Sequence, residues 1–297
     1  MRQRSIGGRT VGGRTVGAIG LGAMPFSLHD PVPPERQAIA TVHAALDAGV
    51  TLIDTADSYG PTARYGHNER IVAKALATYG GGDTDGVLVA TKGGHTRTPD
   101  GGWGLDGGRA HLRRACEDSL TALGVEAIGL YQHHRPDPAV PYEETLGALR
   151  ELREEGKIRL VGISNVDEAR ILQAVEILGP GGLASVQNEF SPQRPFSRVE
   201  LELCGRLGIA FLPWAPLGGR GGASELTDSQ SEFARVAEEL GVSPYRVCLA
   251  WHLAQGEHVL PIPGCSRPAT ARDCAAAAEL ELTPEQLARL ETAVRPG

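Results

Sequence analysis

The sequence predicts a closed (β/α)8 barrel whose reaction site lies at the C-terminal ends of the strands. Eight short apolar segments are each followed by a stretch of helical spacing, and alternation of this kind implies a parallel sheet. Eight such units in 297 residues suit a closed barrel, for which about 250 residues is usual. The strand segments are apolar on both faces, as expected where helices cover the outside and side chains fill the inside. The rival is an open doubly wound sheet, which normally carries a glycine-rich phosphate turn after its first strand. Gly20-Leu21-Gly22 lies in the right place for that turn. The motif needs a third glycine opening a helix, however, and Pro25 follows instead.

The whole chain, 1–297, reads as a single barrel domain whose residues 1–17 form a glycine-rich tail or hairpin. Gly7-Gly8-Arg9-Thr10-Val11 is repeated at once as Gly12-Gly13-Arg14-Thr15-Val16, a small duplication that implies no phosphate site. A strand follows at 18–24. Residues 34–48 have helical spacing, with Ile39, Val42 and Leu46 on one face and Gly49 as the stop. The strand 51–56 leads to a helix at 69–79 with Asn68 as its expected cap. Next come a strand at 87–91, a long glycine-rich loop at 95–108 and a helix at 109–123. The strand 127–133, the helix 141–155 and the strand 160–163 follow, and Asp167 caps a helix running to Leu178. The strand 184–190, the helix 199–207 and the strand 209–214 continue the pattern. Two helical stretches occupy 229–255, divided by Gly241 and Ser243-Pro244. The last strand, 258–263, precedes helices at 269–278 and 284–294.

Composition narrows the function. Hydrophobic residues are 41% and charged residues 22%, ordinary for a soluble globular protein. The net charge of −7, with Lys and Arg scattered, disfavours a nucleic-acid partner. No apolar run reaches membrane-spanning length. The basic start, Met1-Arg2-Gln3-Arg4-Ser5, runs into polar sequence where a secretory signal would be apolar. Five cysteines with no CxxC pair suit free thiols in a reducing cytoplasm.

Four strands end in polar side chains. Asp54 ends one, with Tyr59 five residues on in the loop; Lys92, His134 and the pair Ser164-Asn165 end three others. Alone, such an Asp is usually a helix cap or a solvated loop residue, such a Lys a surface residue, and such a Tyr a packing residue with a satisfied hydroxyl. Together, at one end of one barrel, they read as a catalytic constellation. His133-His134 does not read as a metal pair, because neighbours on a strand face opposite sides. No metal site is expected.

Six motifs in order resemble the aldo-keto reductase family across nearly the whole chain, from about Val16 to Ala278. They are Gly49 to Gly60, Thr91-Lys92-Gly93, Leu130 to Pro136, Gly162-Ile163-Ser164-Asn165, Val186-Gln187-Asn188-Glu189 and Ile262-Pro263-Gly264. The resemblance implies reduction of an aldehyde or ketone by hydride from NADPH. Tyr59 is then the general acid, Lys92 and Asp54 tune it, and His134 orients the substrate. The chemistry is consistent: hydride delivery leaves negative charge on oxygen, which calls for a proton donor and a positive field. A nearby ammonium lowers a phenol's pKa, and a carboxylate keeps a buried ammonium charged.

By the same resemblance Ser164, Asn165 and Gln187 bind the nicotinamide carboxamide and Trp214 stacks on its ring. Leu217 and Gly218 begin a loop over the pyrophosphate, with Arg220 available to a phosphate oxygen, and Gly22, Ala23 and Met24 touch the cofactor through backbone. Gly264, Ser266, Arg267, Thr270, Asp273 and Cys274 fall at the 2′-phosphate and adenine. Many relatives have Lys, Arg and Asn where this chain has Gly264, Thr270 and Cys274, which leaves NADH open beside NADPH. The substrate pocket implied involves Met24, Phe26, Tyr59, His95, Trp103 and His134. His133 also departs from the family, which usually has an aliphatic residue there; it lines a barrel or helix interface or touches bound ligand. Two other readings remain: a cofactor-sensing subunit of the same family, and a Schiff-base aldolase acting through Lys92.

Overall fold

A computed structural model describes residues 1–7, 13–28, 30–61, 65–229 and 231–294, apart from the side chains at 220 and 221. The chain opens with an antiparallel hairpin of β1 (Gln3–Ile6) and β2 (Arg14–Gly17). Ile6 and Val16 are fully buried against Leu52, Leu88, Leu130, Leu160 and Leu260, so the hairpin packs on the barrel interior. Arg4 fastens it: its guanidinium donates to the carbonyls of Leu253 (2.7 Å), Gly256 (2.6 Å) and Val259. The second copy of the Gly-rich repeat therefore contributes most of one strand, β2, to a plug, although residues 8–12 lie outside the described set.

The first barrel strands are β3 (Leu21–Gly22), β4 (Leu52–Asp54) and β5 (Leu88–Gly93). The loop after β5 folds into a second hairpin, β6 (His95–Arg97) with β7 (Trp103–Leu105), rather than remaining irregular. The barrel continues with β8 (Ile128–His133), β9 (Ile158–Ser164), β10 (Leu183–Gln187) and β11 (Ala210–Phe211). These seven strands pair in parallel, in the order β3-β4-β5-β8-β9-β10-β11. Residues 258–264 close the ring through bridges Phe211 to Val259 and Gly22 to Gly264. Pro261 and Pro263 lack an N–H, so this segment forms single bridges and not a full ladder. It still accepts from Gly20 (3.0 Å) and Gly22 (2.9 Å) through the carbonyls of Pro261 and Pro263. A Cβ on Gly22 would sit 2.9 Å from the Ile262 carbonyl oxygen. That glycine serves the close approach of first and last strands.

The helices are α1 (Pro25–Leu28), α2 (Glu35–Asp47), α3 (His67–Ala77), α4 (Arg109–Leu123), α5 (Tyr142–Glu154) and α6 (Glu168–Leu178). They continue with α7 (Arg198–Leu207), α8 (Gly219–Leu226), α9 (Glu232–Leu240), α10 (Pro244–Ala254), α11 (Pro268–Ala276) and α12 (Pro284–Ala293). Among these described helices none is long and apolar enough to cross a membrane. Asp167 caps α6 as expected, accepting from the Arg170 amide at 3.0 Å. Asn68 does not cap α3, which starts two residues earlier than expected, at His67 behind Gly66. Its amide is buried instead, accepting from Thr55 Oγ1 (2.7 Å) and donating to the Ala23 carbonyl (2.9 Å) and Ser27 Oγ (2.8 Å). A cap satisfies one helix amide, whereas here three partners join β4, α1 and α3.

Candidate active site

Asp54 is the last residue of β4, Lys92 lies near the end of β5, and both are buried. Strands β4 and β5 are direct neighbours, so their C-terminal side chains meet. Lys92 Nζ donates to Asp54 Oδ2 at 2.7 Å, to the Thr55 carbonyl at 2.8 Å and to the Tyr59 hydroxyl at 3.4 Å. Asp54 Oδ1 accepts from Gln187 Nε2 at 2.8 Å and from Gln132 Nε2 at 3.3 Å. Gln132 thus joins the site from inside β8. The motif containing it was legible, but its role was not, because a strand glutamine has no chemistry of its own. The Tyr59 ring stands edge-on to His134, with centroids 5.6 Å apart.

Burial opposes the charge on Lys92 more than any other single influence. Asp54 and the Tyr59 phenol together outweigh it and hold the ammonium above its ordinary pKa. Tyr59 departs from expectation. Burial pushes its phenol up, Lys92 pulls it down, and Asp54 and Asp57 push it up again, so the net direction is upward. A cation beside a phenol acidifies it only where desolvation is smaller than the field. His134 is driven well below its usual value, by burial first and then by Lys92, His95, His133 and Arg135. The cleft therefore combines a protonated phenol, a charged ammonium and a neutral imidazole.

A model of the aldo/keto reductase family matches residues 18–295. The chain belongs to the aldo/keto reductase family. It is 34% identical over 260 residues to an uncharacterized oxidoreductase of Schizosaccharomyces pombe, covering 87% of this chain and 80% of that one. An aldo-keto reductase of Klebsiella pneumoniae, solved in complex with NADPH, superposes with a TM-score of 0.81 at 28% identity. That match covers 100% of this chain and 97% of the other. The glycerol dehydrogenase of Gluconobacter oxydans superposes with a TM-score of 0.81 at 26% identity, over 98% of this chain and 94% of its own.

Across the same barrel mouth lie the residues that the aldo/keto reductase motifs assign to the cofactor. Ser164 Oγ donates to the Gln187 carbonyl at 2.6 Å. Asn165 Nδ2 donates to the His134 carbonyl at 2.9 Å, and Asn165 Oδ1 accepts from Trp214 Nε1 at 3.2 Å. Asn165 and Ala215 have φ of 59° and 48°, the left-handed backbone that non-glycine residues adopt at a cost. Leu217 and Gly218 lead not into an open loop but into α8, with Gly218 at its N-cap. Gln193 Oε1 is buried nearby without a partner among the described residues, 2.9 Å from where a Gly218 Cβ would stand. The side chain of Arg220 lies outside the described set.

In the region where adenosine is expected, Arg267 is exposed at the N-cap of α11, and Ser266 and Thr270 are half-buried beside it. The Ser266 carbonyl accepts from Gln37 at 2.8 Å. Asp273 is already engaged, paired with Arg246 at 2.6 Å and with Ser243 Oγ. Cys274 is turned into the core, buried, with its sulfur 3.8 Å from that of Cys265. Phe26 is buried among the helices with Ala38, Val42 and Ile71, while Met24 and Trp103 are exposed at the mouth.

His133 points away from the site. Its buried ring lies 5.8 Å from that of Tyr142, and neither ring nitrogen has a partner among the described residues. Burial lowers its pKa to about 3, against the pull of Asp137. A folded value below the unfolded value of about 6.5 gives stability that is present above that pH and lost as pH falls through about 3. His133→Leu should therefore flatten the acid limb of stability between those values, by up to about 1.4 kcal/mol per pH unit. Denaturant unfolding at a series of pH values measures this. An unchanged slope would mean that the imidazole is not held neutral.

Proposed function

We propose that this protein is an NADPH-dependent reductase of aldehydes or ketones. Tyr59 is the general acid, Lys92 and Asp54 set its environment, and His134 orients the carbonyl. The observation that carries this is the Tyr59 hydroxyl, 3.4 Å from an ammonium that is itself paired with Asp54 at 2.7 Å. Proton donation from Tyr59 to the carbonyl oxygen leaves a phenolate, and Lys92 stabilises that charge. The neutral His134 ring can donate to the same oxygen without carrying charge of its own. NADPH supplies the hydride when bound.

Several features of this chain suit that cofactor. Arg267 is exposed and free of any carboxylate among the described residues, and a guanidinium matches phosphate geometry. Gln193 Oε1 is an orphaned acceptor beside the glycines that open α8. The Klebsiella relative is known as an NADPH complex. A Schiff-base reaction needs a neutral amine, and the raised pKa of Lys92 opposes it.

The test is NADPH consumption on addition of aldehydes and ketones, 4-nitrobenzaldehyde among them. No carbonyl-dependent consumption across such a panel would remove the reading. Covalent trapping of substrate on Lys92 by borohydride would favour the aldolase instead. Steady NADPH binding without turnover would favour a sensing subunit. Arg267→Ala should weaken NADPH about tenfold more than NADH, read as dissociation constants, since only NADPH carries the 2′-phosphate. Equal losses would remove Arg267 from that contact.

A further inference from the structure

The hairpin of β6 and β7 stands over the strand ends and presents one face to the site. Strand alternation puts His95 and Arg97 on that face, and the register sets Trp103 opposite Arg97. The His95 ring lies 4.3 Å from that of His134, so this is the face turned toward the reacting groups. Trp103 meets His95 edge-on at 5.2 Å, and the Arg97 guanidinium carbon lies 4.1 Å from the Trp103 ring centroid. An unbroken row thus runs from Tyr59 and His134 through His95 and Trp103 to a cation.

A second cation, Arg135, follows His134 directly and is exposed. After burial, its charge is the largest influence lowering His95 to about 4, ahead of Lys92 and Arg97. Among the described residues neither arginine has a carboxylate partner. The nearby acids are engaged elsewhere. Asp100 accepts from Thr98 and Gly102, Asp106 from the Gly108 amide, and Asp137 from the amides of Gly107 and Ala139. Arg97 Nε is buried with no acceptor among the described residues, although its backbone N–H donates to the Tyr65 hydroxyl. A desolvated donor without an acceptor is costly unless a ligand completes it.

We propose that the carbonyl substrate carries an anionic group, a carboxylate or a phosphate, received by Arg97 and Arg135 while His134 and Tyr59 hold the carbonyl oxygen. A guanidinium stacked on an aromatic ring is held with its fork ready for either oxyanion. His95 and Trp103 supply the wall along which the body of the substrate lies. The proposal rests on the reductase reading and narrows its substrate class.

Three aldehydes of similar shape test it: neutral 4-nitrobenzaldehyde, 4-carboxybenzaldehyde and 4-formylphenyl phosphate. The wild-type protein should favour at least one anion over the neutral compound by about tenfold or more in kcat/KM, mainly through KM. The preferred anion distinguishes carboxylate from phosphate. Arg97→Gln and Arg135→Gln should each reduce that preference, and Arg97→Lys should restore part of it. Equal kcat/KM for all three aldehydes, or variants that lower all three alike, would overturn the proposal while leaving the reductase reading intact. If no aldehyde turns over, the reductase reading fails. Binding of benzoate and phenyl phosphate against benzamide, followed by tryptophan fluorescence, then decides the anion preference alone, and equal affinities overturn it.

Discussion

Tyr59→Phe should lower carbonyl turnover by about 10²–10⁴-fold while NADPH binding is retained. The substitution removes one oxygen and keeps the ring, so the edge-on contact with His134 and the packing of the loop are preserved. What disappears is the O–H that lies 3.4 Å from Lys92. The phenol is held above its ordinary pKa, first by burial, so it carries its proton at neutral pH, as an acid must. Once that proton leaves, Lys92 and not bulk water faces the resulting charge. Steady-state rates with one aldehyde, beside a titration with NADPH, measure both quantities. A loss below tenfold, with binding unchanged, would mean that another donor protonates the oxygen. His134 would then be the first to test, since its ring faces the same space.

The barrel was legible because its strands announce their ends. Asp54, Lys92 and His134 each follow an apolar run too short for a helix, and a polar residue there has only the strand terminus to occupy. The parallel order of the sheet follows from the intervening helices. Three features were not legible, each for a physical reason. The β6–β7 hairpin is glycine-rich and its pairing depends on cover from the barrel mouth, so residues 95–108 showed no alternation. The α8 helix begins with glycines, which are poor helix formers, and tertiary packing holds it. Asn68 occupies a good capping position by type, but burial gave its amide three partners that outcompeted the cap.

Within the site, the residues that come together were readable and their electrostatics were not. The sign of the Tyr59 shift depends on how much water the loop excludes, which no motif encodes. The same holds for Asp57, whose carboxyl burial and the Glu69 charge push well above the usual carboxylate range. It lies two residues from Tyr59 yet cannot serve as a solvated loop acid. Arg97 carries no signal in the sequence because a lone arginine in a glycine-rich loop is ordinarily solvent-facing. Its significance comes from the strand register that places it over Trp103.

Lys92→Met should cost about 3–5 kcal/mol of stability as well as turnover, because it leaves the Asp54 carboxylate buried without its cation. Methionine fills similar space but returns none of the donors that now serve Asp54 and the Thr55 carbonyl. Gln187 and Gln132 still reach Asp54 Oδ1, and neutral amides offset only part of the charge. Adding Asp54→Asn removes that charge and should recover about half of the loss, since breaking a buried pair costs more than deleting it. Urea unfolding of the parent, both single variants and the double variant completes the cycle. A Lys92→Met protein within about 1 kcal/mol of the parent would mean that water reaches Asp54 and the pair is not a desolvated couple. The double variant separates stability from chemistry. It should fold nearly as well as a neutral core permits and yet reduce no carbonyl, because Tyr59 would then release its proton with no cation to receive the phenolate. A buried ion pair that can be deleted at modest cost to folding, but not to turnover, is retained for the reaction it supports.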